Sequence, residues 1–258
     1  MVAVQTELGF EDLAERNFIG GEWKFTREGY SYDIYDPSDS TVIAAVPLST
    51  HRDVAQALAA ARIGLATWSA MGAEERARVV WSALGRLDRD VERVASVIAR
   101  DTGLPAAMAR AEVRAAIGAI REQLGGAGAS SAAPGIIGQI LSWSNPLVAS
   151  LRLAALDLVR GDVVIVLPSL KAPLSLVCLA EAMSRAGAPA GVFSLVQGAG
   201  IDVGAALARS KDLKRLDFQG SRATATSVRR SPDRHGIPVQ EVFRRVERRT
   251  LAPSGDVE

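Results

Sequence analysis

GIIGQILSWSNPLVASLRLAALDLVRGDVVIVLPSLKAPLSLVCLAEAMSRAGAPAGVFSLVQGAGIDVGAALARSKDLKRLDFQGS, residues 135–221, alternates short apolar runs with stretches of helical spacing. Four runs, Gly135–Leu141, Val163–Leu167, Val192–Val196 and Leu213–Phe218, have strand length and lack a clean polar alternation. That pattern suits strands buried on both faces. Helical patterns at Pro146–Arg160, Pro173–Ala186 and Asp202–Arg209 lie between them. A strand–helix–strand rhythm demands parallel crossovers. The expected fold is α/β, a doubly wound, Rossmann-like parallel sheet with flanking helices, whose ligand edge is the carboxyl end of its strands.

Upstream, residues 124–134 (LGGAGASSAAP) are small and flexible and read as a linker. From Arg52 to about Gln123 the spacing is helical, with stripes at Val54, Leu58, Ala61 and Leu65, at Val79, Val80, Leu84 and Leu87, and at Val91, Val94, Val97 and Ile98. Gly103 and Pro105 separate the last two of these helices. Before Arg52 come the aromatic and β-branched runs NFIGGEW, YSYDIYD and TVIAAVP, with a hairpin signal at Gly20-Gly21. The division is a polar lead-in at 1–16 with room for one short helix, a dinucleotide-binding domain at 17–221, and a divergent tail at 222–258. The tail holds eight arginines against five acids, a bias that reads as a solvated surface.

The formal net charge is +1, so no electrostatic case exists for nucleic acid or a membrane surface. A single cysteine excludes an internal disulfide, and with two histidines it leaves no dedicated metal site to expect. The most apolar region, Asn145 to Pro168, is broken by Arg152, Asp157 and Arg160, each expensive in hydrocarbon. The N-terminus lacks an apolar core of signal-peptide length. A soluble cytoplasmic protein is expected.

Two glycine turns carry the site expectation. Gly198-Ala-Gly200-Ile-Asp-Val-Gly204 follows one strand and opens a helix, where amides can meet phosphate. Phe218-Gln-Gly220-Ser221 follows the next strand and adds a hydroxyl. Two such turns on consecutive strands point to a dinucleotide at the carboxyl edge.

NFIGGEW, DPSDSTVIAAVP, the ATWS stretch, GIIGQILSWSNP, GDVVIVLPSLKAPLS, AGAPAGVFSLVQGAGIDVGAALA and FQGS resemble, in order and spacing, the landmarks of the aldehyde dehydrogenase superfamily. The similarity covers about Asn17 to Ser221 and reaches faintly to Glu241. It implies NAD or NADP as cofactor, with Trp143, Ser144, Pro168, Ser169, Gly198, Gly200, Gly204, Phe218, Gly220 and Ser221 as the cofactor-binding positions. It also implies that Glu241 corresponds to the family's general base.

Several departures weaken that inheritance. Ser144 stands where the family's oxyanion asparagine stands, and losing one oxyanion donor typically costs about 10²–10³ in rate. Leu167 and Leu170 replace the lysine and glutamate that the family offers to the adenine ribose, so dinucleotide binding should be weak. Phe243 and Arg244 replace two glycines after the base. The family's nucleophilic cysteine would lie beyond Glu258, and Cys178, in an apolar helix without a cationic neighbour, reads as a structural thiol. The interval 124–134 is too short for the family's projecting oligomerisation hairpin.

The resulting expectation is an incomplete aldehyde dehydrogenase fold that alone oxidises no aldehyde. Such a chain would be a non-catalytic nucleotide-binding or structural subunit, an enzyme subunit active only with a partner chain supplying the nucleophile, or a degenerate fragment. A complete paralogue or a second copy of this chain is the expected partner.

Overall fold

The structure, a computed structural model, describes residues 9–125, 133–222, 226 and 236–242. Near the N-terminus, β1 (Asn17–Ile19) and β2 (Glu22–Lys24) pair antiparallel across Gly20 and Gly21. Both glycines have positive φ, 63° and 81°, as a two-residue hairpin turn of this hand needs. β3 (Ser31–Tyr35) and β4 (Val42–Pro47) make a separate two-stranded sheet. α1 (Phe10–Ala14) falls inside the expected lead-in, yet it buries Leu13 and Ala14 and packs on β4.

Four helices follow, α2 (His51–Ala70), α3 (Ala73–Arg89), α4 (Val91–Thr102) and α5 (Ala106–Gly125). α2 starts at a reciprocal cap. Thr50 Oγ1 accepts from the Arg52 amide, and the Asp53 carboxylate accepts from the Thr50 amide at 2.9 Å. α4 stops where Gly103 turns left-handed at φ 75°. The stripe residues Val54, Leu58, Ala61, Val80, Leu84, Leu87, Val91, Val94 and Ile98 are all buried. The expected linker at 124–134 begins too early. α5 runs through Gly125 because Leu124 still packs on the core, while residues 126–132 lie outside the described set.

Among the described residues the central sheet has seven strands in the order β2-β1-β7-β6-β5-β8-β9. Five are mutually parallel: β5 (Ile136–Ile140), β6 (Val163–Leu167), β7 (Phe193–Leu195), β8 (Leu213–Gln219) and β9 (Val239–Val242). β1 joins them antiparallel, pairing Phe18 with Leu195. Every residue of β6 is buried, which explains its unbroken apolar run. β9 lies past the expected boundary at 221 and completes the same sheet.

α6 (Pro146–Arg160) and α7 (Leu174–Arg185) make the first two crossovers on one face, where α3, α4 and α5 cover them. A π-helical turn (Gly200–Gly204) and α8 (Ala205–Ala208) carry the chain back beside α2 on the other face. The helix expected over 202–209 is therefore partly this wider turn. α2 approaches the sheet closely because Gly191 has φ 83° and no side chain. A Cβ there would lie 2.1 Å from the Ala60 carbonyl oxygen. From β5 the chain runs outward through β6 and β7, then returns to place β8 and β9 on the other side of β5. The reversal between β5 and β8 is where a doubly wound sheet offers its ligand crevice.

Candidate functional site

The loops that leave the carboxyl ends of β5, β6, β7 and β8 lie on one edge of the sheet, because these strands are parallel. After β5 the chain passes through Trp143, Ser144 and Asn145 into α6. Trp143 is 46% exposed at this edge, and Asn145 takes the left-handed conformation, φ 54° and ψ 56°, that this residue type tolerates. Asn145 Nδ2 donates to the Glu112 carboxylate of α5, so the amide is committed to that helix. It does not stand in for the asparagine missing at position 144.

Gln219, at the end of β8, spans the crevice. Its Nε2 donates to the Ser144 carbonyl at 3.0 Å, tying the two strands at the switch point. Gln219→Ala should cost about 1 kcal/mol, the net worth of a typical hydrogen bond. Urea unfolding reads this, and an unchanged midpoint would show that the bridge contributes nothing. Beyond Gln219, Gly220 is half-buried and Ser221 exposed. A Cβ on Gly220 would meet the Phe218 ring at 2.6 Å. Phe218, expected among the cofactor residues, is instead 3% exposed and lies beneath the turn. It shapes the turn without reaching its surface.

The glycines after β7 divide in the same way. Gly198 is buried, and a Cβ there would come within 3.0 Å of the Ser49 backbone. Gly204 is buried beside Ile140, whereas Gly200 is exposed with open space around it. Of the three, only Gly200 offers its backbone at the surface. The turn is anchored by a buried polar junction. Asn17 Nδ2 donates to Ser49 Oγ at 2.7 Å, the Gln197 amide donates to Asn17 Oδ1 at 2.8 Å, and Gln197 Nε2 reaches the Ala14 and Arg16 carbonyls. Ile201, next to Gly200, is 82% exposed.

After β6, Leu167 and Pro168 are buried and Leu170 packs on the core. Pro168, also expected at the cofactor, is thus turned away from solvent. Ser169 Oγ accepts from the Lys171 amide at 3.2 Å, and Lys171 itself is exposed. No charged group occupies the positions of Leu167 and Leu170. Glu241 lies in β9, opposite Phe218 in the strand register, and is half-buried. It stands at the same carboxyl edge as Gly220, while Phe243 and Arg244 lie outside the described residues.

Cys178 is 1% exposed, enclosed within α7. Burial pushes its thiol up to about 12. The expectation of no cationic neighbour needs correction, because the Arg93 guanidinium from α4 acts on it and pulls the other way. Burial wins. Sequence spacing could not show this pairing, since α4 and α7 meet only in the fold.

A second network lies between α6 and β8. Arg215 grips Asp217 with two bonds of 2.6 and 3.1 Å and also binds Asp157. Those carboxylates hold the guanidinium protonated although burial opposes its charge. Between the last turn of α4 and the Trp143–Asn145 loop there is a cleft of about 320 Å³, lined also by Glu112. Neither feature was expected from the sequence.

No helix among the described residues is long and apolar enough to cross a membrane.

Comparison with known proteins gives one consistent result. The profile of the aldehyde dehydrogenase family matches residues 23–241. Malonate-semialdehyde dehydrogenase 2 of Oceanobacillus iheyensis is 31% identical over 230 residues, 83% of this chain and 47% of the relative. Malonate-semialdehyde dehydrogenase 1 of Geobacillus kaustophilus is 28% identical over 265 residues, 96% of this chain and 54% of the relative. The chain thus spans about half the length of the curated relatives it matches. Among solved structures, the NAD+ complex of an aldehyde dehydrogenase from Bacillus cereus has a TM-score of 0.83 at 26% identity, over 91% of this chain and 52% of that one. Aldehyde dehydrogenase C from Pseudomonas syringae, solved with NAD+ and octanal, has a TM-score of 0.82 at 26% identity, over 90% and 50%.

Proposed function

This chain belongs to the aldehyde dehydrogenase family, and we propose that it acts as a weak dinucleotide-binding, non-catalytic subunit rather than as an aldehyde oxidiser by itself. The observation that carries the reading is the switch-point crevice, where the loops after β5, β7 and β8 share one edge. NAD or NADP would lie there with its pyrophosphate near Gly200, Gly220 and Ser221 and its flank against Trp143. Open space at Gly200 and the exposed position of Ser221 suit a phosphate. The fit fails at the ribose end, where Leu167 and Leu170 provide no polar group. When bound to such a site, the nicotinamide would accept hydride. This chain's part is to hold and orient it.

Each missing charged hydrogen bond is worth about 1.5–3 kcal/mol, at least tenfold in affinity. Titration calorimetry with NAD+ should therefore give a dissociation constant at least about a hundredfold above that of a relative retaining the lysine and glutamate. Micromolar affinity would overturn the weak-binding half of the proposal.

A second reading rests on Glu241. A carboxylate at the carboxyl edge, opposite Phe218 in register, suits a general base if further chain or a partner supplies the nucleophile. The partner would be a complete aldehyde dehydrogenase or a second copy of this chain. The exposed Trp143 and Ile201 at this edge are apolar surface that such a neighbour would cover. Co-expression with a catalytically complete relative tests this. Activity that appears only in the complex and falls with Glu241→Gln supports the subunit reading.

A further inference from the structure

Among the described residues β3 and β4 form a sheet of two strands, so β3 has an edge without a strand partner. The register tells which backbone groups that edge presents. Ser31 stands opposite Pro47, which has no N–H, so the two cannot form a hydrogen-bonded pair. The Leu48 amide, donating to the Tyr30 carbonyl at 2.9 Å, fixes the same parity. Tyr32 and Ile34 therefore bond to β4, whereas the N–H and C=O groups of Ser31 and Asp33 point away from it. No described residue bonds to those outward groups, and Ser31, Tyr32 and Asp33 are exposed. Bare donors and acceptors repeated every second residue are a template for another strand.

We propose that this edge of β3 pairs antiparallel with the same edge of a second copy of the chain, joining two small sheets into one. The side chains select the register. A two-fold axis at Asp33 would set two carboxylates face to face. An axis at Ser31 would send Asp33 to Gly29 of the second copy, which turns at φ 72° and already gives its amide to the Thr26 carbonyl. An axis at Tyr32 engages every outward group of Ser31 and Asp33. It also sets Ser31 opposite Asp33 of the second copy on both sides of the axis, where a hydroxyl can donate to a carboxylate. Tyr32, 47% exposed, then meets its own counterpart at the closely spaced position, an aromatic cross-strand pair. The order Ser–Tyr–Asp is thus complementary to itself when reversed, which favours a second copy over an unrelated peptide. Strands this short cover less than the roughly 800 Å² per partner of a standard interface, so the dimer is weak. The pairing uses no residue of the switch-point crevice and does not rest on the dinucleotide reading.

The test is sedimentation velocity of the 258-residue chain across a wide concentration range at pH 7. The parent should show a reversible monomer–dimer equilibrium with a dissociation constant on the order of 100 µM. Ser31→Lys places a lysine opposite Asp33 of the second copy twice per dimer, and should tighten the dimer by at least about threefold. An axis at Ser31 would instead set lysine against lysine and weaken it, so the sign reads the register. Tyr32→Glu sets two carboxylates together and should weaken the dimer by at least about tenfold. Both positions are exposed, which lets the variants fold, and circular dichroism verifies that they do. Ile201→Ser, at the carboxyl edge, should leave the equilibrium unchanged. A parent that stays monomeric at every concentration, a Ser31→Lys variant that does not tighten, a Tyr32→Glu variant that dimerises like the parent, or a dimer lost in Ile201→Ser overturns the proposal. Nucleotide binding can fail while this association holds, so an NAD+ titration distinguishes the two readings.

Discussion

A polypeptide of residues 1–258, supplied with NAD+ and a panel of aliphatic and aromatic aldehydes, is expected to form no NADH above the uncatalysed rate. Aldehyde oxidation through a covalent intermediate needs an activated thiolate at the ligand edge. The single thiol of these residues is Cys178, 1% exposed within α7. With its ionisation pushed up to about 12, only about one thiol in 10⁵ would be a thiolate at pH 7. The Arg93 guanidinium acts in the opposite direction and does not overcome burial. If Ser144 stands where the family's oxyanion carboxamide does, even a misplaced nucleophile would lose about another 10²–10³ in rate. Enzymes of ordinary power accelerate by at least about 10⁶, so the shortfall is not subtle. Cys178→Ala should leave the baseline untouched. Turnover that this substitution abolishes would sink the idea, and would require α7 to unpack during the reaction.

The sheet was legible because its signals are local. Val163–Leu167 is apolar at every position and is buried at every position, and the helices on either side announce themselves by spacing. What spacing could not show was where distant elements meet. β1 joins the parallel strands through Phe18 and Leu195, far apart in sequence, and nothing near Phe18 foretells the partner. β9 was hidden inside a tail judged by its arginines, although Val239 and Glu241 sit in register with Leu216 and Phe218. The site divided along the same line. A glycine motif locates a turn, but it does not say which glycine faces the ligand. Gly198 is glycine because Ser49 lies against it, Gly220 because Phe218 lies beneath it, and Gly200 alone is open. Gln219 and Glu112 escaped notice because an ordinary glutamine and an ordinary helix acid acquire roles only through Ser144 and Asn145 across the fold.

Raising the pH from about 5 to 9 is expected to destabilise the fold by up to about 4 kcal/mol through one carboxyl group, that of Asp101. Asp101 ends α4 at 3% exposure, and its Oδ2 accepts from the Leu174 amide at 2.8 Å, in the first turn of α7. Burial pushes its pKa up to about 8, while the amides of Leu174 and Ser175 pull it down. The positive end of α7 assists the amides, but such a terminus contributes at most about 2 kcal/mol, so burial prevails. The sign follows from proton counts. Between about pH 4 and pH 8 the folded chain keeps a proton that the unfolded chain has released, so stability falls as pH rises through that window. It is fully present below the unfolded value and gone above the folded one. Asp101→Asn retains an oxygen for the Leu174 amide and never ionises. Urea unfolding at pH 5, 7 and 9 should show the variant gaining on the parent steadily, and exceeding it at pH 9. Other groups titrate over this range as well, but they are common to both proteins and cancel in the difference. Parallel profiles for parent and variant would mean that Asp101 is ionised in the native state, with the first turn of α7 stabilising its charge more than burial opposes it.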